Sequence, residues 1–101
     1  MAEVFEKLEN WKLALHYHQK SLDVCVALDD WESAGKANES IGICHQKLGD
    51  MNSATQAFEE FLTIATQSHD RREQTSACIH LIEIYQSYAN ELEVMSVTRH
   101  V

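Results

Sequence analysis

Apolar residues along the chain recur at steps of three and four, the mark of helices that each bury one side. Val4, Phe5 and Leu8 share such a face and predict a short first helix over residues 2–8. Trp11, Ala14, Leu15, Leu22, Cys25 and Val26 predict a second over 11–28, with Asn10 as its N-cap. Asp29-Asp30 closes that pattern, and Asp30 can cap a third helix over 31–48. Ala34, Ala37, Ile41, Cys44 and His45 or Leu48 trace its stripe, and Gly49 sits where a glycine ends a helix. Asp50 caps a fourth, 51–67, with Ala54, Ala57, Phe58, Phe61, Leu62 and Ala65 on one face. Asp70 and Glu73 have the spacing of a capping box and open a fifth, 71–88, carrying Ala77, Cys78, Leu81, Ile84, Tyr85 and Tyr88. Beyond Tyr88 the periodicity weakens, and residues 89–101 read as a tail or a short additional helix.

These elements repeat. Leu48, Ala54 and Leu62 stand forty residues after Leu8, Ala14 and Leu22, and Asp70, Ala77 and Leu81 stand forty after Asp30, Ala37 and Ile41. A fixed period of this size marks a stacked repeat architecture, in which each unit buries its apolar face only against its neighbours. Connections this short force consecutive helices antiparallel. The fold class is therefore all-α: a right-handed stack of antiparallel helical hairpins over residues 1–88, about two and a half periods long. Ala37, Gly42, Ala54 and Ala57 allow close helix approach, while Trp11, Phe58 and Tyr85 fill the spaces beside them. Open end faces at Val4, Phe5, Leu8, Leu81, Tyr85 and Tyr88 would be sticky, compatible with a homodimer.

Ile41-Gly42, then His45, Gly49, Ala54 and Phe58, follow one another at the spacing of a known pattern. It resembles the tetratricopeptide repeat, W-x2-L-G-x2-Y…A-x3-F…P. Trp31 to Asp70 matches best. Trp11 and Ala14 carry the second half of an earlier repeat, and Leu81 and Tyr85 the first half of a later one. Thr66 replaces the terminal proline, and the period is forty rather than thirty-four. Forty-residue versions are similar to the repeats of spindle-orientation and cell-polarity adaptors and of some cytoskeletal and ciliary scaffolds. In that subgroup an asparagine just before the aliphatic-glycine pair grips a bound peptide. Ser40 and His80 hold that place here, while a basic residue four earlier is kept as Lys36.

The resemblance implies a helical solenoid that binds protein partners on its concave face, lined by the first helix of each hairpin. In this register the concave set is Lys36, Ser40, Ile43 and Lys47, with Ser76, His80, Glu83 and Ser87 on the later helix and Glu3 and Lys7 on the first. Lys7, Lys36 and Lys47 are three of only eight basic residues, so their surface points to an acidic segment or a C-terminal carboxylate. The alternative is a structural segment that extends a longer scaffold or self-associates without binding a peptide.

Composition narrows the rest. Sixteen acidic against eight basic residues give a net charge of −8, which argues against nucleic acid and anionic membrane surfaces as partners. No apolar run approaches the ~20 residues of a membrane span, and the start lacks the basic and apolar segments of a signal peptide. Cys25, Cys44 and Cys78 form no CxxC pair and read as reduced, buried small hydrophobes, in keeping with a cytoplasmic setting, cytoskeletal or ciliary included. The six histidines offer no pair at helical metal-ligand spacing, and the chain has neither a phosphate-binding glycine loop nor a nucleophile elbow. The expectation is a non-enzymatic protein with no cofactor, no metal and no catalytic residue.

Overall fold

The computed structural model describes the backbone of residues 2–99 and the side chains of residues 9–92. It consists of four helices: α1 (Ala2–Ala27), α2 (Trp31–Lys47), α3 (Met51–Gln67) and α4 (Arg71–Arg99). Each packs on its sequence neighbours, so α2 lies between α1 and α3, and α3 between α2 and α4. The result is an all-α fragment of helical repeat, a slab 56 × 38 × 17 Å across.

Three turns of one kind set this geometry, twenty residues apart. At Asp29, Gly49 and His69 the backbone enters the left-handed region, with φ of 55°, 85° and 58°. The next residue closes a Schellman-type loop: Asp30, Asp50 and Asp70 donate their N–H groups to the carbonyls of Cys25, His45 and Ala65 at 2.9–3.0 Å. The same three aspartates start the following helices. Their side chains accept from the N–H groups of Ser33, Ser53 and Glu73 at 3.2, 3.1 and 3.2 Å. The Asp70–Glu73 capping box forms only in this half, because the Asp70 N–H is committed to Ala65.

Where that chemistry is missing the chain does not turn. Residues 2–8 and 11–28 were expected as two helices, yet α1 runs through Asn10 unbroken. Leu8-Glu9-Asn10 aligns with Leu48-Gly49-Asp50, but Glu9 favours helix and has none of the tolerance for positive φ of glycine, aspartate or histidine. Ala89 stands at the same place forty residues later, and α4 continues through it to Arg99. A boundary at Ala89 therefore has no counterpart in the backbone.

The core consists of Ala34, Ala37, Ile41, Cys44, Ala54, Ala57, Phe58, Phe61, Ala65, Ala77, Leu81 and Ile84. Half of these are alanines, so the helices approach closely and a few large side chains do the filling. Phe58 is fully buried and lies against Gly42, where a Cβ would sit 2.5 Å from its ring. Ala54, Leu81 and Ile84 complete the cluster around that ring. Leu81 is thus a core residue and not part of an open end, whereas Tyr85 and Tyr88 are exposed. Val4, Phe5 and Leu8 lie outside the described side chains. Cys44 is buried as expected and its thiol is pushed up by that burial, but Cys25 is half-buried and Cys78 exposed. Cys78 departs from the expected burial because, among the described residues, only α3 packs along α4.

Three outcomes follow from the glycine contacts and the turns. Gly42→Ala must move a buried aromatic and should cost about 1–3 kcal/mol in urea unfolding. Gly35→Ala meets Ile64 Cγ2 at 3.3 Å and the Phe61 ring at ordinary contact distance, 3.6 Å, so the gain in helix propensity offsets the squeeze and stability should stay within about 1 kcal/mol of the parent. His69→Gly relieves a left-handed non-glycine residue and should stabilise by up to about 1 kcal/mol in the same assay.

Candidate partner-binding surface

Steps of three and four along α2 place Glu32, Lys36, Glu39, Ile43 and Lys47 on one side of the helix, with Ile43 reaching the edge of the core. On α4, Glu73, Ser76, His80 and Glu83 share one side at the same steps of three and four, with Ser76 and Glu83 standing forty residues after Lys36 and Ile43. The two helices meet at one point on this side. His80 Nε2 of α4 lies 3.1 Å from Glu39 Oε2 of α2. The His80 ring also stacks on Phe58, 4.4 Å between centroids and 4° from parallel. The residue that contacts the surface carboxylate is therefore seated on the aromatic that organises the core.

The surface around this contact is rich in carboxylates. Burial raises the Glu73 carboxyl above its ordinary value, and the nearby charges of Glu39, Asp70 and Glu32 push the same way, against Lys36. Lys36 therefore stands among acidic groups. Along the flank toward α1, Lys36 and Ser40 border a shallow concavity of about 270 Å³ with His18, Ser21, Ser33 and Ala37. A second, about 480 Å³, opens between α2 and α3 beside Ile41, His45, Gln56 and Glu60. Among the described residues no cluster of three or more histidine, cysteine or acidic side chains is arranged to hold a metal ion.

The expected concave set divides on this geometry. Lys36, Glu39 and His80 come together, with Ser76 half-buried nearby on α4 and Glu83 and Lys47 exposed. Ser40 turns toward α1, and Ile43 is half-buried against the cluster of Ala54, Phe58, Leu81 and Ile84. The side chain of Lys7 lies outside the described residues, and its backbone belongs to the long α1 rather than to a separate first helix. The role of Glu39 as the link to α4 depends on a contact forty-one residues away, which no local spacing announces.

A family model described as tetratricopeptide repeat matches residues 1–67. The chain belongs to the tetratricopeptide repeat family. The matched stretch spans α1, α2 and α3, and its end coincides with the end of α3. Comparison with curated proteins and with solved structures gives no match. Within the tetratricopeptide pattern, Gly42 and Phe58 occupy the glycine and phenylalanine places, and in this chain the two lie against each other. His45 holds the aromatic place and is half-buried, its Nδ1 4.0 Å from Asp50 Oδ2.

The raised Glu73 gives a pH-dependent outcome of definite sign. A carboxyl whose folded value is raised favours the fold while protonated and withdraws that support as pH rises through the raised value. Glu73→Gln should therefore be more stable than the parent at neutral pH, by about 0.5 kcal/mol or less. That difference should vanish as pH falls below the ordinary carboxylate range. Asp30 and Asp50 run the other way: their capping bonds to Ser33 and Ser53 lower both carboxyls, so their support is lost on acidification. Urea titrations of parent and variant at several pH values check both trends.

Proposed function

We propose that this chain is a protein–protein interaction scaffold, an adaptor that receives a partner segment across the surface formed by α2 and α4. Tetratricopeptide repeats generally serve as protein-binding scaffolds, and the reading rests on that family membership. The observation that supports this particular surface is the Glu39–His80 contact, which ties the two helices together at the level where charged side chains are presented. An extended backbone or a short helix would cross Lys36, His80 and Glu83, with Ser40 and Ser76 at its margins and Ile43 beneath. Lys36 and Lys47 stand three helical turns apart, about 16 Å along α2 by the helical rise, and would take acidic side chains or a C-terminal carboxylate of the partner. Lys7 would extend that attraction from α1.

The same reading assigns the protein no reaction, cofactor or metal. It assigns no nucleic-acid partner either, because a chain of net charge −8 cannot neutralise many phosphates. No described helix is long and apolar enough to cross a membrane. A cytoplasmic adaptor, of the cytoskeletal or ciliary kind, is the setting proposed.

Fluorescence anisotropy against acidic, neutral and basic peptides of equal length tests the proposal. Acidic peptides should bind, more weakly as salt rises, and the double variant Lys36→Glu with Lys47→Glu should weaken them at least ~10-fold, in the range expected when charge pairs at an interface are reversed. Preference for basic peptides, or acidic binding that survives the double variant, would overturn the assignment of charge.

A further inference from the structure

The first and last helices each carry an apolar stripe that no other helix covers among the described residues. On α1, Leu13, Tyr17 and Val24 are 54–62% exposed. On α4, Ile82 and Tyr85 are each 52% exposed. Single exposed apolar residues need no explanation, but stripes at helical spacing on both ends of a repeat stack do.

Their register identifies what is missing. In the closed α2/α3 hairpin, Gly35 and Gly42 of α2 meet Ile64 and Phe58 of α3, and Ile41 and His45 border Ser53 and Ala57. Forty residues earlier than Ser53, Ala57 and Ile64 stand Leu13, Tyr17 and Val24. Forty residues later than Gly42 and His45 stand Ile82 and Tyr85. Each outer helix thus displays one half of the same interface: α1 the half that α3 uses, α4 the half that α2 uses. The outer face of α4 on one copy complements the outer face of α1 on another.

Helix length points the same way. α2 and α3 have 17 residues each, but α1 has 26 and α4 has 29. The excess of α1 lies before Trp11, the equivalent of the first residue of α3, and that of α4 lies after Ser87, the equivalent of the last residue of α2. In an antiparallel pair with the α2/α3 register, Ala89–Arg99 of one copy would run along the first turns of α1 of the next. Both overhangs would then be covered by each other.

Side-chain size gives the pairing a preference. Ile82 replaces the glycine on which Phe58 closes, so α4 cannot accept an α3-like helix at the same distance. α1 carries the shorter His18 at the place of Phe58. We infer that a second copy of this chain docks head to tail, its α1 lying antiparallel on α4 and continuing the stack. The contact is heterologous and leaves a fresh α1 and a fresh α4 at the two ends, so association does not stop at a dimer. It leaves the α2/α4 charged surface uncovered and does not depend on peptide capture there.

Light scattering and sedimentation of the chain, from micromolar concentration upward, with two single variants and their mixture, test the inference. The parent should grow in mass with concentration, past twice the monomer. Tyr17→Glu and Tyr85→Glu place a charge on one stripe each, at exposed positions that leave the core untouched, and each alone should stay monomeric. An equimolar mixture should form a dimer and nothing larger, because one intact α4 and one intact α1 remain. Circular dichroism and thermal unfolding confirm that both variants are folded. A parent that is monomeric throughout would overturn the inference, and so would either variant associating by itself, which would mean like faces pairing with like.

Discussion

The fold depends on one approach: the Phe58 ring fills the space that a side chain at residue 42 would occupy. With a Cβ at Gly42 excluded at 2.5 Å, α2 and α3 come close enough for Ala54 and Ala57 to be buried between them. From the same ring the core reaches α4, through Leu81 and Ile84 on one side and the stacked His80 on the other. A single aromatic therefore holds three helices in register. Cores of this kind have no depth to fall back on. The slab is 17 Å thick in its shortest dimension, little more than a helix and its side chains, and half of its buried apolar residues are alanines. Packing at one ring counts for more here than it would in a globular domain of equal length.

Much of this was legible because repeat proteins write the same constraint more than once. The tetratricopeptide-like spacing located Gly42, Ala54 and Phe58 together, and the structure sets the Phe58 ring against Gly42 with Ala54 in the same buried cluster. Turns were legible where a residue tolerant of positive φ preceded an aspartate, as at Asp29-Asp30, Gly49-Asp50 and His69-Asp70. The expected break at Asn10 failed on the same rule. A capping residue alone does not stop a helix when the residue before it, Glu9, has no reason to leave helical geometry. Cys78 was misplaced for a different reason: its period marks it as core, but burial needs a neighbouring helix, and periodicity cannot say whether one is there.

The surface was less legible than the core. Grouping Lys36, Ser40, Ile43 and Lys47 by steps of three and four puts them on one broad face, yet that face spans about 60–80° of the helix. Over such an arc one flank meets α1 and the other meets α4. Ser40 and Ile43 fall on opposite flanks for this reason, and Glu39, between them and the α4 side, makes the inter-helix contact. Counting lysines on a helix face omits the acids that a second helix contributes, and Glu73 and Asp70 arrive from α4 and the turn before it.

His80 joins the two levels of the structure. Its ring lies flat on a fully buried phenylalanine, while its Nε2 reaches a half-exposed carboxylate on the neighbouring helix. A partner segment that engaged Glu39 would compete for this nitrogen and so bear on the Phe58 stack beneath it. Binding at such a point would bear on how α4 sits on α3. α4 is also the helix that presents the uncovered apolar stripe. The charged surface and the apolar stripe are therefore carried by the same helix, seated on the core through one aromatic ring.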